Sequence, residues 1–251
     1  MARPPLRISV DLLPRADLAP DELAGEVAVV VDVLRMTTTA TVLAELGLAS
    51  LEVIADVELA RDRARAIGAL LLGERNARAL PGFDGGNSPL EFTGVAVFGR
   101  SAVLCTTNGS AAVAACAGAA HVLLGSLRNA GAVAERALEL ARGSVRIVCA
   151  GTAGAVSLDD VVAAGHIVAA LVERWPDSDL SDTALLARAT AGSDEAAVLL
   201  AASGHGRTLT RAGFADDLAE AARIDVSDRV PERVAGSADR FEVRPAGAAV
   251  E

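Results

Sequence analysis

The chain has 251 residues, 52% hydrophobic and only 2% aromatic, so it can bury a core, but one built from Ala, Val and Leu. All 23 basic residues are arginines, which removes lysine Schiff-base chemistry and the P-loop lysine. A formal charge of −10 argues against a nucleic-acid binder, which needs a basic face, and means that an anionic substrate requires local arginines.

In chain order, residues 27–33 form a valine-rich, mostly β-branched run, as a strand buried on both faces would. A helix is expected over 38–47, a strand over 51–55, and a helix over 57–72. The stretch 73–93 breaks the pattern. It is polar, rich in Gly, Pro and Asn, and its specific acids, amides and Arg75 mark a functional loop. Apolar strands are expected at 95–98 and 102–105, as a hairpin across Gly99-Arg100. Then follow a small-residue helix at 109–118, a strand at 121–124, a helix at 129–141, a strand at 145–149 and a helix at 157–174. Residues 182–202 read as helix broken near Gly192. The tail from 214 holds a short helix, Val230-Pro231 and a strand near 240–244. This alternation predicts a layered α/β fold, with a mostly parallel or mixed sheet flanked by helices, in one domain over 1–251 or in two intertwined subdomains.

Cys105, Cys116 and Cys149 are an odd set without a C-x-x-C pair, which argues against a disulfide framework or a zinc site. The N-terminus has no basic segment leading into an apolar run, and no apolar stretch reaches membrane-spanning length. The expectation is a cytoplasmic protein with no membrane or nucleic-acid partner.

Three strand exits share one design: Asp32-Val33-Leu34-Arg35-Met36-Thr37-Thr38-Thr39, Cys105-Thr106-Thr107-Asn108-Gly109-Ser110, and Cys149-Ala150-Gly151-Thr152-Ala153-Gly154. Each sets hydroxyls or glycines where a helix begins. Free N–H groups and the helix dipole attract anions there, and parallel strands bring such exits to one edge. Plain N-capping is the alternative for any single turn. Asp32, Glu74 and Asp84 are candidate acids, and Arg35 and Arg75 candidate anion ligands or salt-bridge partners. Asp159-Asp160 fit a helix-dipole role as well as a site role. His121 and His166 read as packing residues. His205, in the polar turn Ser203–Arg207, is the histidine that could serve a site. The cysteine-phosphatase, haloacid-dehalogenase, histidine-phosphatase and G-x-S-x-G signatures are all missing. Any phosphate hydrolysis would by elimination use a metal ion and carboxylates.

The ordered set Asp32–Thr39, Gly73–Asn76, Gly82–Pro89, Thr106–Gly109, Ser157–Asp160, Ala164-Gly165, His205–Arg207 and Val230-Pro231 resembles the 2-phosphosulfolactate phosphatase family over roughly residues 8–235. The resemblance implies a Mg²⁺-dependent phosphatase that converts 2-phospho-3-sulfolactate to sulfolactate, a step leading toward coenzyme M. It also implies an uncommon α/β fold and a homodimer. On this reading Asp32, Glu74 and Asp84 supply Mg²⁺ ligands. Arg35 and Arg75 neutralise phosphate or sulfonate, and Arg207 adds a third guanidinium. Thr37, Thr38, Asn76, Asn87, Ser88, Thr106, Thr107, Asn108 and Gly109 bind substrate, and His205 could protonate the leaving oxygen. Three departures are visible: Ala77 where the family usually has Gly, Gly85 for an apolar residue, and Met36 for Ala.

Overall fold

A computed structural model describes residues 5–15, 20–92, 94–192 and 196–245. Among these, eleven strands form one sheet. They are β1 (Arg7–Asp11), β2 (Val27–Val31), β3 (Ser50–Ile54), β4 (Leu70–Arg75), β5 (Arg78–Ala79), β6 (Ser101–Cys105), β7 (His121–Gly125), β8 (Ser144–Cys149), β9 (Asp179–Leu180), β10 (Arg229–Arg233) and β11 (Arg240–Pro245). Their order is β5-β4-β6-β3-β11-β10-β7-β2-β8-β1-β9.

The sheet consists of two parallel blocks joined by an antiparallel hairpin. In one block β6 pairs in parallel with β3 and β4. In the other, β2 pairs with β7 and β8, and β1 with β8 and β9. Between them β10 and β11 are antiparallel to each other, to β7 and to β3. The two blocks therefore run in opposite senses along the sheet order, which is the uncommon topology. A right-handed twist of about 20–25° per strand, accumulated over the five interfaces from β2 to β6, turns the blocks by roughly 100–125°.

Every residue of β2 is buried. Its alternate side chains feed two cores, as strand geometry requires. Val27, Val29 and Val31 join a cluster with Ile147, Val133 and Ile167, from β8, α4 (Ala130–Leu140) and α5 (Leu158–Arg174). Ala28 and Val30 join an inner cluster with Val53, Leu72, Leu104, Leu43 and Val113. That cluster unites both blocks with α1 (Met36–Glu45) and α3 (Asn108–Ala115). The segment of α1 is threonine-rich and a weak helix former, yet Met36–Ala40 are wholly buried. Its hydroxyls are satisfied by carbonyls: Thr38 Oγ1 donates to Val33 O (2.7 Å), Thr39 Oγ1 to Asn87 O (2.9 Å) and Thr41 Oγ1 to Thr37 O (2.8 Å). Buried hydroxyls require such partners.

Several expected elements are corrected. The helix expected over 57–72 is α2 (Val57–Ile67), stopped at Gly68, which takes φ 64° as a left-handed cap. The buried Leu70-Leu71-Leu72 that follows is strand β4, not helix. Helical spacing and a buried parallel strand look alike over so short an apolar run. Residues 95–98 form no strand and no hairpin with 101–105; β6 pairs instead with the distant β3 and β4. Strand β1 is unexpected from the sequence, since five residues of mixed polarity give little periodicity. Residues 182–202 divide into α6 (Asp182–Arg188) and α7 (Ala196–Ala202), and Gly192 at φ 96° lies between them. The expected turn at 203–207 is the first turn of α8 (Gly204–Ala212), capped by Ser203 Oγ. The tail helix is α9 (Ala215–Ala221). No described helix is long and apolar enough to cross a membrane.

Candidate active site

The exits of β2, β4, β6 and β8 meet at a cleft of about 420 Å³ closed by the start of α8. It gathers ten of the residues singled out in the sequence: Asp32, Arg35, Glu74, Arg75, Asn76, Asn87, Thr106, Thr107, Asn108 and His205. Thr152 and Ala153, from the third strand exit, complete the wall. The opposed blocks converge tightly here. A Cβ on Gly109 would lie 2.7 Å from Asp32 Oδ2 and 2.6 Å from Met36 Cε. Glycine is what lets the first turn of α3 approach the β2 exit.

The six other expected residues lie off the cleft wall. Thr37 Oγ1 accepts from Asp32 N (3.2 Å), and Thr38 serves Val33 O, so both brace the β2–α1 turn. Ser88 Oγ donates to Asp217 Oδ1 at 2.6 Å. Gly109 contributes close packing rather than a side chain. Arg207 is exposed and donates to Ala202 O. Asp84 is exposed, and its Oδ2 accepts from Leu71 N at 2.8 Å, holding the 80s loop to β4.

Asp32 is the most perturbed acid in the cleft. Burial pushes its pKa from 3.8 up to about 7; the Met36 N–H opposes this, the nearby Asp159 and Glu74 charges add to it, and Arg35 opposes. Its Oδ1 accepts only a long bond from Met36 N, 3.4 Å. Asp160, by contrast, is engaged structurally. Its two oxygens accept from Val33 N and Gly151 N, both at 2.9 Å, and so lock the β2 and β8 exits together. Burial first, and then Asp159 and Asp32, hold its pKa well above the ordinary value.

Asp159 sits at the start of α5, nearly inaccessible to solvent. Its Oδ1 accepts from Ser157 Oγ at 2.5 Å, and its Oδ2 lies 3.9 Å from His205 Nδ1. His205 Nδ1 is also 3.4 Å from Thr152 Oγ1. Burial lowers the His205 pKa, with Asp159 opposing, which favours the neutral imidazole.

The two arginines are held differently. Arg35 is 4% exposed. Its Nη1 pairs with Asp217 Oδ2 at 2.6 Å, its Nη2 donates to Ala77 O at 2.9 Å, and its guanidinium lies 4.5 Å from the Phe214 ring centroid. Arg75 donates to Glu74 O (2.8 Å) and Ala55 O (2.9 Å) and pairs with no carboxylate among the described residues. Its positive charge is therefore available to an anion. Glu74 Oε2 accepts from Ala77 N at 2.8 Å. This pins the β4–β5 turn, in which Asn76 and Ala77 take φ 54° and 65°.

Among the described residues no three His, Cys, Asp or Glu side chains are grouped to hold a metal ion. Mg²⁺ asks for less than such a cage: one or two carboxylates, waters and substrate phosphate. Asp32 and Glu74 line one cleft with Asn87, which is 4% exposed and whose Oδ1 has no hydrogen-bond partner among the described residues. This all-oxygen donor set fits a hard divalent cation.

Asp217 and Phe214 had no signal in the sequence, since Arg35 and Asp217 are separated by 182 positions. Asp159 had one, the Ser-Leu-Asp-Asp run at a helix start, but a dipole role explained it equally well.

The family model for 2-phosphosulpholactate phosphatase matches residues 13–236. Similar proteins include a probable 2-phosphosulfolactate phosphatase of Deinococcus radiodurans, 45% identical over 88% of this chain and 93% of its own. One from Symbiobacterium thermophilum is 41% identical over 84% of this chain and 92% of its own. One from Thermus thermophilus is 38% identical over 90% and 94%. With that coverage and the converging strand exits, the chain belongs to the 2-phosphosulpholactate phosphatase family.

Proposed function

We propose that the cleft hydrolyses the phosphate monoester of a small, multiply anionic 2-hydroxy acid, with 2-phospho-3-sulfolactate as the substrate. The observation that carries this reading is that Arg75, which has no acidic partner among the described residues, shares one cleft with the buried Asp32 and the half-buried Glu74. Guanidinium groups suit phosphate and sulfonate oxygens. The carboxylates would repel the same substrate unless a cation stood between them.

Mg²⁺ would be held by Asp32 and Glu74, with Asn87 Oδ1 as a further oxygen donor. When bound, it supplies Lewis-acid polarisation of a phosphoryl oxygen. The remaining work falls to the chain. Arg75 and Arg35 neutralise the anionic groups. The free N–H groups at the start of α3, beside Thr107 and Asn108, accept an oxyanion at the positive end of the helix dipole. Nδ1 of His205 faces Thr152 and Asp159, which leaves Nε2 for proton exchange with the attacking water or the leaving oxygen.

The test is phosphate release from 2-phospho-3-sulfolactate, phospholactate and phosphoglycolate, each with Mg²⁺ and with chelator. Chelator-sensitive release with phosphosulfolactate preferred supports the proposal. Faster release from another ester moves the substrate within the same class. Binding without release from any of them would make the cleft an anion-binding module.

A further inference from the structure

We infer that Asp217, on α9, is a positioning residue that sets the anion-binding geometry of the cleft through Arg35. The inference rests on the reading of Arg35 as an anion ligand. Asp217 is 2% exposed and divides its two oxygens between the β2 exit and the 80s loop. Oδ2 takes Arg35 Nη1 and Oδ1 takes Ser88 Oγ, both at 2.6 Å. Each partner continues into the cleft wall. Arg35 Nη2 donates to Ala77 O and so ties the turn that carries Asn76. Ser88 is joined to Asn87, whose carbonyl accepts from Thr39 Oγ1 and whose side chain lines the cleft.

The clamp has a second face. The Phe214 ring, one helical turn before Asp217, lies against the guanidinium at 4.5 Å. Two of the guanidinium's edge nitrogens are bound and one of its faces is covered, so it has little rotational freedom left. Arginine is useful to an oxyanion because its planar fork is preorganised. A positioner of that fork acts on binding only through it. Substrate need never touch Asp217, which is absent from the cleft wall.

A double-mutant cycle on inorganic phosphate binding, read by calorimetry on the full chain, tests this without requiring turnover. In the Arg35 background, Asp217→Ala is expected to weaken phosphate binding at least about tenfold. In an Arg35→Ala background the same change is expected to alter it less than about twofold, since residues acting as a unit are non-additive. Asp217→Asn is expected to restore most of the affinity, because its Oδ1 can accept from Arg35 while its Nδ2 donates to Ser88 Oγ. Circular dichroism and thermal unfolding of each variant separate misfolding from repositioning; if Asp217→Ala does not fold, Phe214→Leu, which uncovers the guanidinium face and leaves the ion pair in place, carries the same cycle, with a loss expected in the Arg35 background only. Additive losses would make Asp217 a scaffold residue and overturn the inference. Tighter phosphate binding in either variant would overturn it too, by showing that Asp217 only screens the Arg35 charge. Wild-type phosphate binding without ester hydrolysis would defeat the proposed function and leave the cycle interpretable.

Discussion

Asp32→Asn separates the cost of the cleft from its use. The pKa of Asp32 rises from 3.8 in the unfolded reference to about 7 in the folded protein. Between those values the folded chain holds a proton that the unfolded chain has released, so stability falls as pH rises through the window and levels off above about 7. The slope is about 1.4 kcal/mol per pH unit, hence roughly 2 kcal/mol between about pH 5.5 and about pH 7. For a domain of this size that corresponds to roughly 4–8 °C in Tm. The asparagine keeps an acceptor for the Met36 N–H and has no charge to bury. The variant should therefore lose roughly 4–8 °C less than wild type when both are moved from about pH 5.5 to about pH 8 in chelator. Asp160 is raised by burial and then by the Asp159 and Asp32 charges, so neutralising Asp32 lets it ionise more readily and flattens the variant's pH dependence in the same direction. At the same time kcat/KM should fall by about 10²–10⁴-fold, the range for loss of a group acting at the reacting centre. Added Mg²⁺ should raise the Tm of wild type more at the higher pH, where the carboxylate is ionised, and barely move the variant. Differential scanning fluorimetry over pH measures the thermal shifts, and phosphate release measures the rate. Parallel Tm–pH curves for the two proteins would refute the reasoning, because they would show that Asp32 ionises no differently folded than unfolded.

Other positions give sharper yes-or-no outcomes. Gly109→Ala places a methyl 2.6 Å from Met36 Cε and 2.7 Å from Asp32 Oδ2; it should cost about 1–3 kcal/mol and reduce kcat/KM, and unchanged kinetics would show that the α3 start is not packed against the site. Glu74→Gln should lower kcat/KM by at least about tenfold, whereas Asp84→Ala should leave it within about twofold and remove about 1 kcal/mol of stability with the Leu71 N–H bond. The opposite ranking would place the metal-binding carboxylate in the 80s loop. Ala77 holds φ 65°, where a non-glycine residue costs about 1–2 kcal/mol and a glycine costs about 0.4–1 kcal/mol through the unfolded chain. Ala77→Gly should thus stabilise by up to about 1.5 kcal/mol, seen as a higher urea midpoint at unchanged slope. A lower midpoint would mean that the turn is unstrained.

Local chemistry made much of this protein legible in its sequence. The β-branched run at 27–31 has to be a buried strand, and hydroxyl- and glycine-bearing strand exits can receive an anion wherever they land. The ordered motifs from Asp32 to Pro231 were enough to suggest the family. The ambiguous pieces were those where local signals coincide. Leu70-Leu71-Leu72 suits a helix or a buried strand, and only pairing with β6 decides between them. The Thr37, Thr38 and Ser88 hydroxyls looked ready for substrate, but their partners are Asp32 N, Val33 O and Asp217. Whether a polar side chain serves the fold or a ligand depends on which groups the tertiary structure leaves unpaired around it. The convergence of two oppositely directed blocks, the raised pKa of Asp32 and the Asp217–Phe214 clamp on Arg35 all arise from residues far apart in the chain. Their burial and charge environment exist only once the sheet has twisted those residues together.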